Sequence, residues 1–303
     1  MEFLDQAQLS FSPESLVILN ITLGFIMYGV SLELSLADFQ RVFKAPLSPA
    51  IGLFSQFILL PALTFLLILV IKPIPSMALG MIMVAACPGG NISNFISLMA
   101  KGNVALSVSL TALSTLLSIV MTPFNFAFWA NQYGPTAKLL KEIHIDPIEM
   151  VLTIIIVLGV PLILGMWTAH KFPKFTKKIS PTIRALSIVI FGFYVVVAIY
   201  NNLDAFLNYI QYIILIVLLH NLVAFLGGFS MAKLFRRNER DTRSITIETG
   251  IQNSGLALVI IFNPNFFDGL GGMALVAALW GIWHIVSGLG LATAWSRFGN
   301  NRE

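Results

Sequence analysis

The sequence predicts an all-α polytopic membrane protein. Of its 303 residues, 57% are hydrophobic and only 11% are charged, whereas a soluble domain carries about 25% charged residues. Its apolar runs reach about 20 residues, the length that crosses a hydrocarbon layer. They are not the alternating ten-residue segments of an outer-membrane barrel. Between them lie short breaks at proline, glycine or clustered charge.

Nine spans follow in order. The first, 15–34, comes after an acidic start (Glu2, Asp5, Glu14) that holds no Lys or Arg and does not read as a cleavable signal peptide. The second, 48–71, carries an amide, Gln56, ahead of Pro61 and ends at Lys72-Pro-Ile-Pro75. The third and fourth, 76–100 and 103–131, lead to Tyr133-Gly-Pro135. The fifth, 147–169, stops at Lys171-Phe-Pro-Lys174, and the sixth runs over 181–201. The last three are 208–232, 242–263 and 270–296. Segment 38–44 reads as a short amphipathic stretch at the interface, and 138–144 as a similar one on the opposite side.

Basic residues orient the spans, because cytoplasmic loops concentrate Lys and Arg. With the N-terminus outside, only Lys72, Lys138 and Lys141 of the 18 basic residues fall outside. The others include Lys171, Lys174, Lys177, Lys178 and Arg184, then Lys233, Arg236, Arg237, Arg240 and Arg243. This predicts a multi-pass protein of the cell membrane, in the manner of a bacterial inner membrane, with its C-terminus cytoplasmic. The net charge of +4 therefore reflects loop asymmetry, not a nucleic-acid surface. The single cysteine, Cys87, excludes an intrachain disulfide and reads as a small packing residue.

Two spans are interrupted by polar residues. The third contains Pro88-Gly-Gly-Asn-Ile-Ser-Asn94 and the eighth Gly250-Ile-Gln-Asn-Ser-Gly255. They are five spans apart, so they cross in opposite directions. Matching interruptions in two halves are the sequence pointer to a transporter built from inverted repeats, with its site at the breaks. Beside the second break stands Glu248, and a carboxylate at membrane depth marks an ion or substrate path.

Three groups supply oxygens: Asn91, Ser93 and Asn94 at the first break; Ser107 and Thr111 on the fourth span; Glu248, Thr249, Gln252, Asn253 and Ser254 at the second break. A hard cation takes several oxygen ligands. Ser114, Thr115 and Ser118 continue the stripe of the fourth span and read instead as helix–helix glue. A competing reading pairs Glu248 with Arg243, five residues away. His220-Asn221 and His284 read first as packing residues. No Gly-x-Ser-x-Gly, His-Glu-x-x-His or paired aspartates occur, so the chain is not read as an enzyme and no catalytic residue or cofactor is assigned.

Cys87-Pro-Gly-Gly-Asn-Ile-Ser-Asn-Phe-Ile-Ser-Leu98, Lys101-Gly-Asn-Val-Ala-Leu-Ser-Val108 and Glu248-Thr-Gly-Ile-Gln-Asn-Ser-Gly255 resemble the bile acid:sodium symporter family, with Gln56, Pro61 and His220-Asn221 fitting too. The resemblance extends from about Leu16 to Trp295. It implies nine transmembrane helices in inverted repeats, with two crossing discontinuous helices. The panel domain would hold spans 15–34, 147–169 and 181–201, and the core domain the other six.

It also implies two sodium sites. One matches Ser93, Asn94, Ser107, Thr111 and Glu248; the other matches Gln56, Glu248 and Gln252 with the carbonyls of Thr249 and Ile251. Asn91, Asn253 and His284 match the substrate side, although Ile285 stands where bacterial bile-salt binders have Asn. The implied activity is sodium-coupled import of an organic anion, such as a bile salt or other small organic acid, across the lipid bilayer. The alternatives are proton coupling through Glu248 and a receptor that binds without transporting.

Overall fold

The computed structural model describes residues 13–32, 45–143, 147–201, 203–263, 265–267 and 270–298. Segment 38–44 and the tail beyond 298 lie outside these residues. Among the described residues the chain is helical, apart from isolated bridges.

Helix α1 spans Pro13–Ser31. Helix α2 runs Leu47–Phe54, widens into a π-helical turn over Ser55–Leu59, and continues through Leu60–Ile71. Helices α3 (Pro75–Ala86) and α4 (Ile92–Met99) form a broken pair. Helix α5 (Val104–Gln132) is followed by the short α6 (Gly134–Ile143). Helix α7 runs Pro147–Ile154, has its own π turn at Ile155–Gly159, and continues over Val160–Lys171. Helices α8 (Pro173–Asn201) and α9 (Leu203–Leu234) precede a second broken pair, α10 (Glu239–Gly250) and α11 (Ser254–Phe262). Helix α12 is Gly271–Phe298.

Five of these helical stretches are long and apolar enough to cross a membrane: Leu47–Ile71, Val104–Gln132, Ile148–Lys171, Ile213–Leu234 and Gly271–Arg297. Their outward faces carry apolar side chains such as Val70, Val120, Ile156 and Leu215, as lipid contact requires.

Both π turns end just before a proline near the start of the next stretch, Pro61 and Pro161. A proline lacks the N–H and crowds the carbonyl four residues back. The helix accommodates this by widening one turn. Helix α8 begins at Pro173, ahead of the expected 181, and runs through Pro181. Helix α6 covers most of 138–144, with Leu139, Leu140 and Ile143 packed on the main core and Lys138 and Lys141 exposed.

The broken pairs lie at the centre. The longest core cluster joins α3, α11 and α12, where Met81, Val84, Leu256, Ile260 and Trp280 are fully buried. Helix α10 packs on α9, α4 and α5. Helix α1 packs on α7 and α8, with Tyr28 Oη donating to Thr168 Oγ1 at 3.2 Å, and reaches the centre through α11.

Candidate functional site

The two breaks are bonded to each other. At Cys87 and Ile251 the chain turns extended, ending α3 and α10. Gly89 and Gln252 then form an antiparallel bridge. Gly90 N donates to the Ile251 carbonyl at 2.8 Å, and Asn253 N to the Pro88 carbonyl at 2.8 Å. Backbone groups freed by each interruption thus satisfy the other, which is how irregular backbone persists in a buried place. Asn253 caps α11, its Oδ1 accepting from Leu256 N at 3.0 Å.

Glu248 sits four residues before the bridging Gln252, in the last turns of α10, and is 3% exposed. Ser107 Oγ donates to its Oε2 at 3.0 Å and Thr111 Oγ1 to its Oε1 at 2.6 Å. These two residues lie one turn apart on α5, so one face of that helix meets the carboxylate. Thr111 Oγ1 also lies 3.3 Å from Asn94 Oδ1 and 3.3 Å from Ser93 Oγ, both from α4. Five oxygen-bearing side chains from three helices therefore converge. Ser97, which the sequence reading did not single out, joins them by donating to Ser107 Oγ at 3.2 Å.

Among the described residues no Lys or Arg pairs with Glu248. Arg243 instead donates Nη1 to the Ala100 carbonyl at 2.8 Å. The competing reading of a Glu248–Arg243 pair is corrected: five residues along a helix turns the two side chains to different faces.

A second set gathers where α2 meets the breaks. Gln56 occupies the π turn of α2 and is 2% exposed. Its Nε2 donates to the Cys87 carbonyl at 2.9 Å and to Gln252 Oε1 at 2.6 Å. Gln252 Nε2 donates to the Thr249 carbonyl at 2.7 Å. The Ile251 carbonyl accepts from Gly90, as above. Gln56, Gln252 and the Thr249 carbonyl are thus brought together, while Glu248 is hydrogen-bonded to the first set only.

Asn91 and Asn253 both approach Met27 of α1, each Nδ2 lying 3.9 Å from its Sδ. Asn91 Oδ1 is buried without a partner. His284 is buried on α12, and among the described residues no hydrogen bond joins its side chain to these amides.

Other polar residues support the breaks. Asn221 Nδ2 donates to the Gly250 carbonyl at 2.8 Å, and Ser287 Oγ donates to Asn221 Oδ1 at 2.6 Å. Asn221→Ala would leave that carbonyl without its donor, while Ser287 Oγ keeps the Trp283 and His284 carbonyls at 3.0 and 3.2 Å. We expect it to lower thermal stability by about 1–3 kcal/mol, measured by urea or thermal unfolding in detergent. His220 packs on Trp280 with ring centroids 4.5 Å apart, and its Nε2 lies 2.7 Å from Thr64 Oγ1. Ser114 and Ser118 donate to carbonyls of their own helix, those of Thr111 and Thr115, rather than gluing helices together. Such a back-bond satisfies a hydroxyl within three residues and needs no neighbouring helix.

The model of the sodium bile acid symporter family matches residues 20–209. The sodium-dependent transporter YocS of Bacillus subtilis (strain 168) is 33% identical over 92% of this chain and 83% of its own. A probable chloroplastic sodium/metabolite cotransporter of Oryza sativa subsp. japonica is 31% identical over 92% of this chain and 64% of its own. The mouse sodium-dependent organic anion transporter is 24% identical over 93% of this chain and 74% of its own.

Proposed function

The chain belongs to the sodium bile acid symporter family, and we propose from this that it is a symporter importing a small organic anion with sodium by alternating access. The observation that carries the reading is Glu248, a buried carboxylate of α10 ringed by neutral oxygens from α4 and α5. Hydroxyls, amides and one carboxylate suit a hard monovalent cation. Sodium at Ser93, Asn94, Ser107, Thr111 and Glu248 would fasten the three helices. A second sodium at Gln56, Glu248, Gln252 and the carbonyls of Thr249 and Ile251 would fasten α2 to the second break.

The substrate would lie beside the breaks, against Asn91 and Asn253, and would extend to His284 on α12. Amide donors there suit a carboxylate. Because the same breaks hold the ions and the amides, sodium and anion favour one arrangement together, and each raises the other's affinity by the same factor.

The architecture assigned to this function is nine membrane helices in inverted repeats. A panel of α1, α7 and α8 would rock against a core of the remaining helices. The packing of α1 on α7 and α8 supports that grouping. The basic clusters support a topology with the N-terminus outside and the C-terminus in the cytoplasm, in a cell membrane.

The test is uptake of radiolabelled taurocholate and a panel of small carboxylates into proteoliposomes, with Na⁺ replaced by K⁺ at constant pH. Sodium-dependent accumulation is expected. Undiminished uptake in K⁺ driven by a pH gradient would instead establish proton coupling, and binding without flux would establish a receptor. Gln56→Ala leaves the Cys87 carbonyl and Gln252 without their partner. We expect a half-saturating sodium concentration raised about tenfold, in line with 1–3 kcal/mol for unserved buried groups.

A further inference from the structure

The first turns of α10 carry polar residues that neither sodium set uses. Asp241, Ser244 and Glu248 stand at positions i, i+3 and i+7. They share one helix face, with about 10 Å between the two carboxylates along the axis. That face meets the 100–103 turn and the start of α5. Asn103 N donates to the Arg240 carbonyl at 3.0 Å, and Ser244 Oγ to the Asn103 carbonyl at 2.9 Å. Asp241 receives Asn103 Nδ2 at 2.8 Å on Oδ1 and Ser48 Oγ at 2.7 Å on Oδ2. The Asn103 carbonyl also accepts from Ser107 N at 3.0 Å, and Ser107 Oγ reaches Glu248. A continuous chain of hydrogen-bonded polar groups therefore joins Asp241 to Glu248.

Its Asp241 end lies beside the exposed Asn238, Glu239 and Arg240, at the end of the molecule that carries the basic cluster. Asp241 is only 8% exposed, yet among the described residues no basic side chain neutralises it. Arg243 turns to the Ala100 carbonyl, Arg237 to the Phe235 carbonyl, and Lys233 pairs with Glu239. A buried carboxylate served by two neutral donors keeps lone pairs and charge for a cation.

We propose that Asp241, with Ser48, Asn103 and Ser244, forms a station where sodium pauses between the Glu248 site and the basic face. The inference rests on the sodium reading of Glu248. Passing between carboxylates, the ion exchanges one oxygen ligand at a time instead of crossing a buried stretch unligated. A station lying on the path, and not at the resting site, lowers the barrier for entry and exit alike. Its loss slows both rates and leaves affinity unchanged.

The test is a stopped-flow sodium jump on purified protein, with choline as the replaced cation, read by fluorescence of the five tryptophans. Asp241→Asn keeps the shape and removes the charge. It is expected to leave the half-saturating sodium within twofold of wild type while slowing the binding and release phases about tenfold. Ser244→Ala should show the same pattern more weakly, and decides alone if Asp241→Asn does not fold. Unchanged phases overturn the proposal. So does a half-saturation shifted as far as Glu248→Gln shifts it, because Asp241 would then belong to the resting site. A wild-type protein that gives no sodium response sinks the sodium reading and the station with it, and is recognised before any substitution is made.

Discussion

Glu248→Gln is expected to abolish the sodium-dependent rise in melting temperature while leaving the protein folded in choline. A ligand at 100 times its dissociation constant stabilises a one-site protein by about 2.7 kcal/mol, and all of that should vanish. The fold should survive because Gln keeps one carbonyl oxygen for Thr111, which donates at 2.6 Å. Its amide would face Ser107, whose hydroxyl can turn to accept. What Gln cannot supply is charge. Five neutral oxygens alone do not offset the dehydration of a cation in a place this buried. The measurement is a thermal-shift titration with NaCl against choline chloride. A sodium response that survives in the variant would remove the carboxylate from the ion site. Sodium-driven uptake should fall with it to the background of empty liposomes.

The parts of this site that could be read from the sequence are those with local signatures. The two Gly-plus-amide interruptions stand out against apolar surroundings, and so does the carboxylate beside one of them. Their meeting was inferable from position, because two breaks at matching places must satisfy each other's backbone or leave it stranded. The bonds of Gly90 to Ile251 and Asn253 to Pro88 are that satisfaction.

Other features have no local signature. Asp241 finds Ser48 across 193 residues and Asn103 across 138, and nothing near it in sequence distinguishes it from a solvated helix start. The π turn around Gln56 has a cause in Pro61, but periodicity alone cannot distinguish a widened turn from a regular one. Pro181 was misleading in the other direction. A proline in an apolar segment reads as a helix start, whereas α8 continues through it. Ser114 and Ser118 show why a polar stripe is ambiguous. Hydroxyls that bond their own helix and hydroxyls that serve a neighbour have the same spacing.

The two adjacent glycines of the first break should respond differently to one added methyl group, and the difference tests how the breaks hold the ion. A Cβ on Gly89 would lie 2.5 Å from Glu248 Oε1, and one on Gly90 would lie 2.8 Å from the Gln252 carbonyl oxygen and 3.1 Å from its carbon. In Gly89→Ala the obstacle is the end of a side chain, which can swing away. The fold keeps most of its stability, but the carboxylate leaves Thr111 and the sodium set comes apart. In Gly90→Ala the obstacle is backbone already fixed by the antiparallel bridge. Relief there requires the two breaks to separate, which forfeits the hydrogen bonds from Gly90 and Asn253.

Overpacking a tight interior costs about 1–3 kcal/mol, and each lost buried backbone bond adds to it. Gly90→Ala is therefore expected to lose several degrees of melting temperature in choline and to lose its sodium response as well. Gly89→Ala should lose the response with little change in choline. Equal destabilisation of both variants in choline would show that the carboxylate is held rigidly by the fold, and not by the ion-binding oxygens alone. A normal sodium response in Gly90→Ala would mean that the bridge between the breaks does not shape the site.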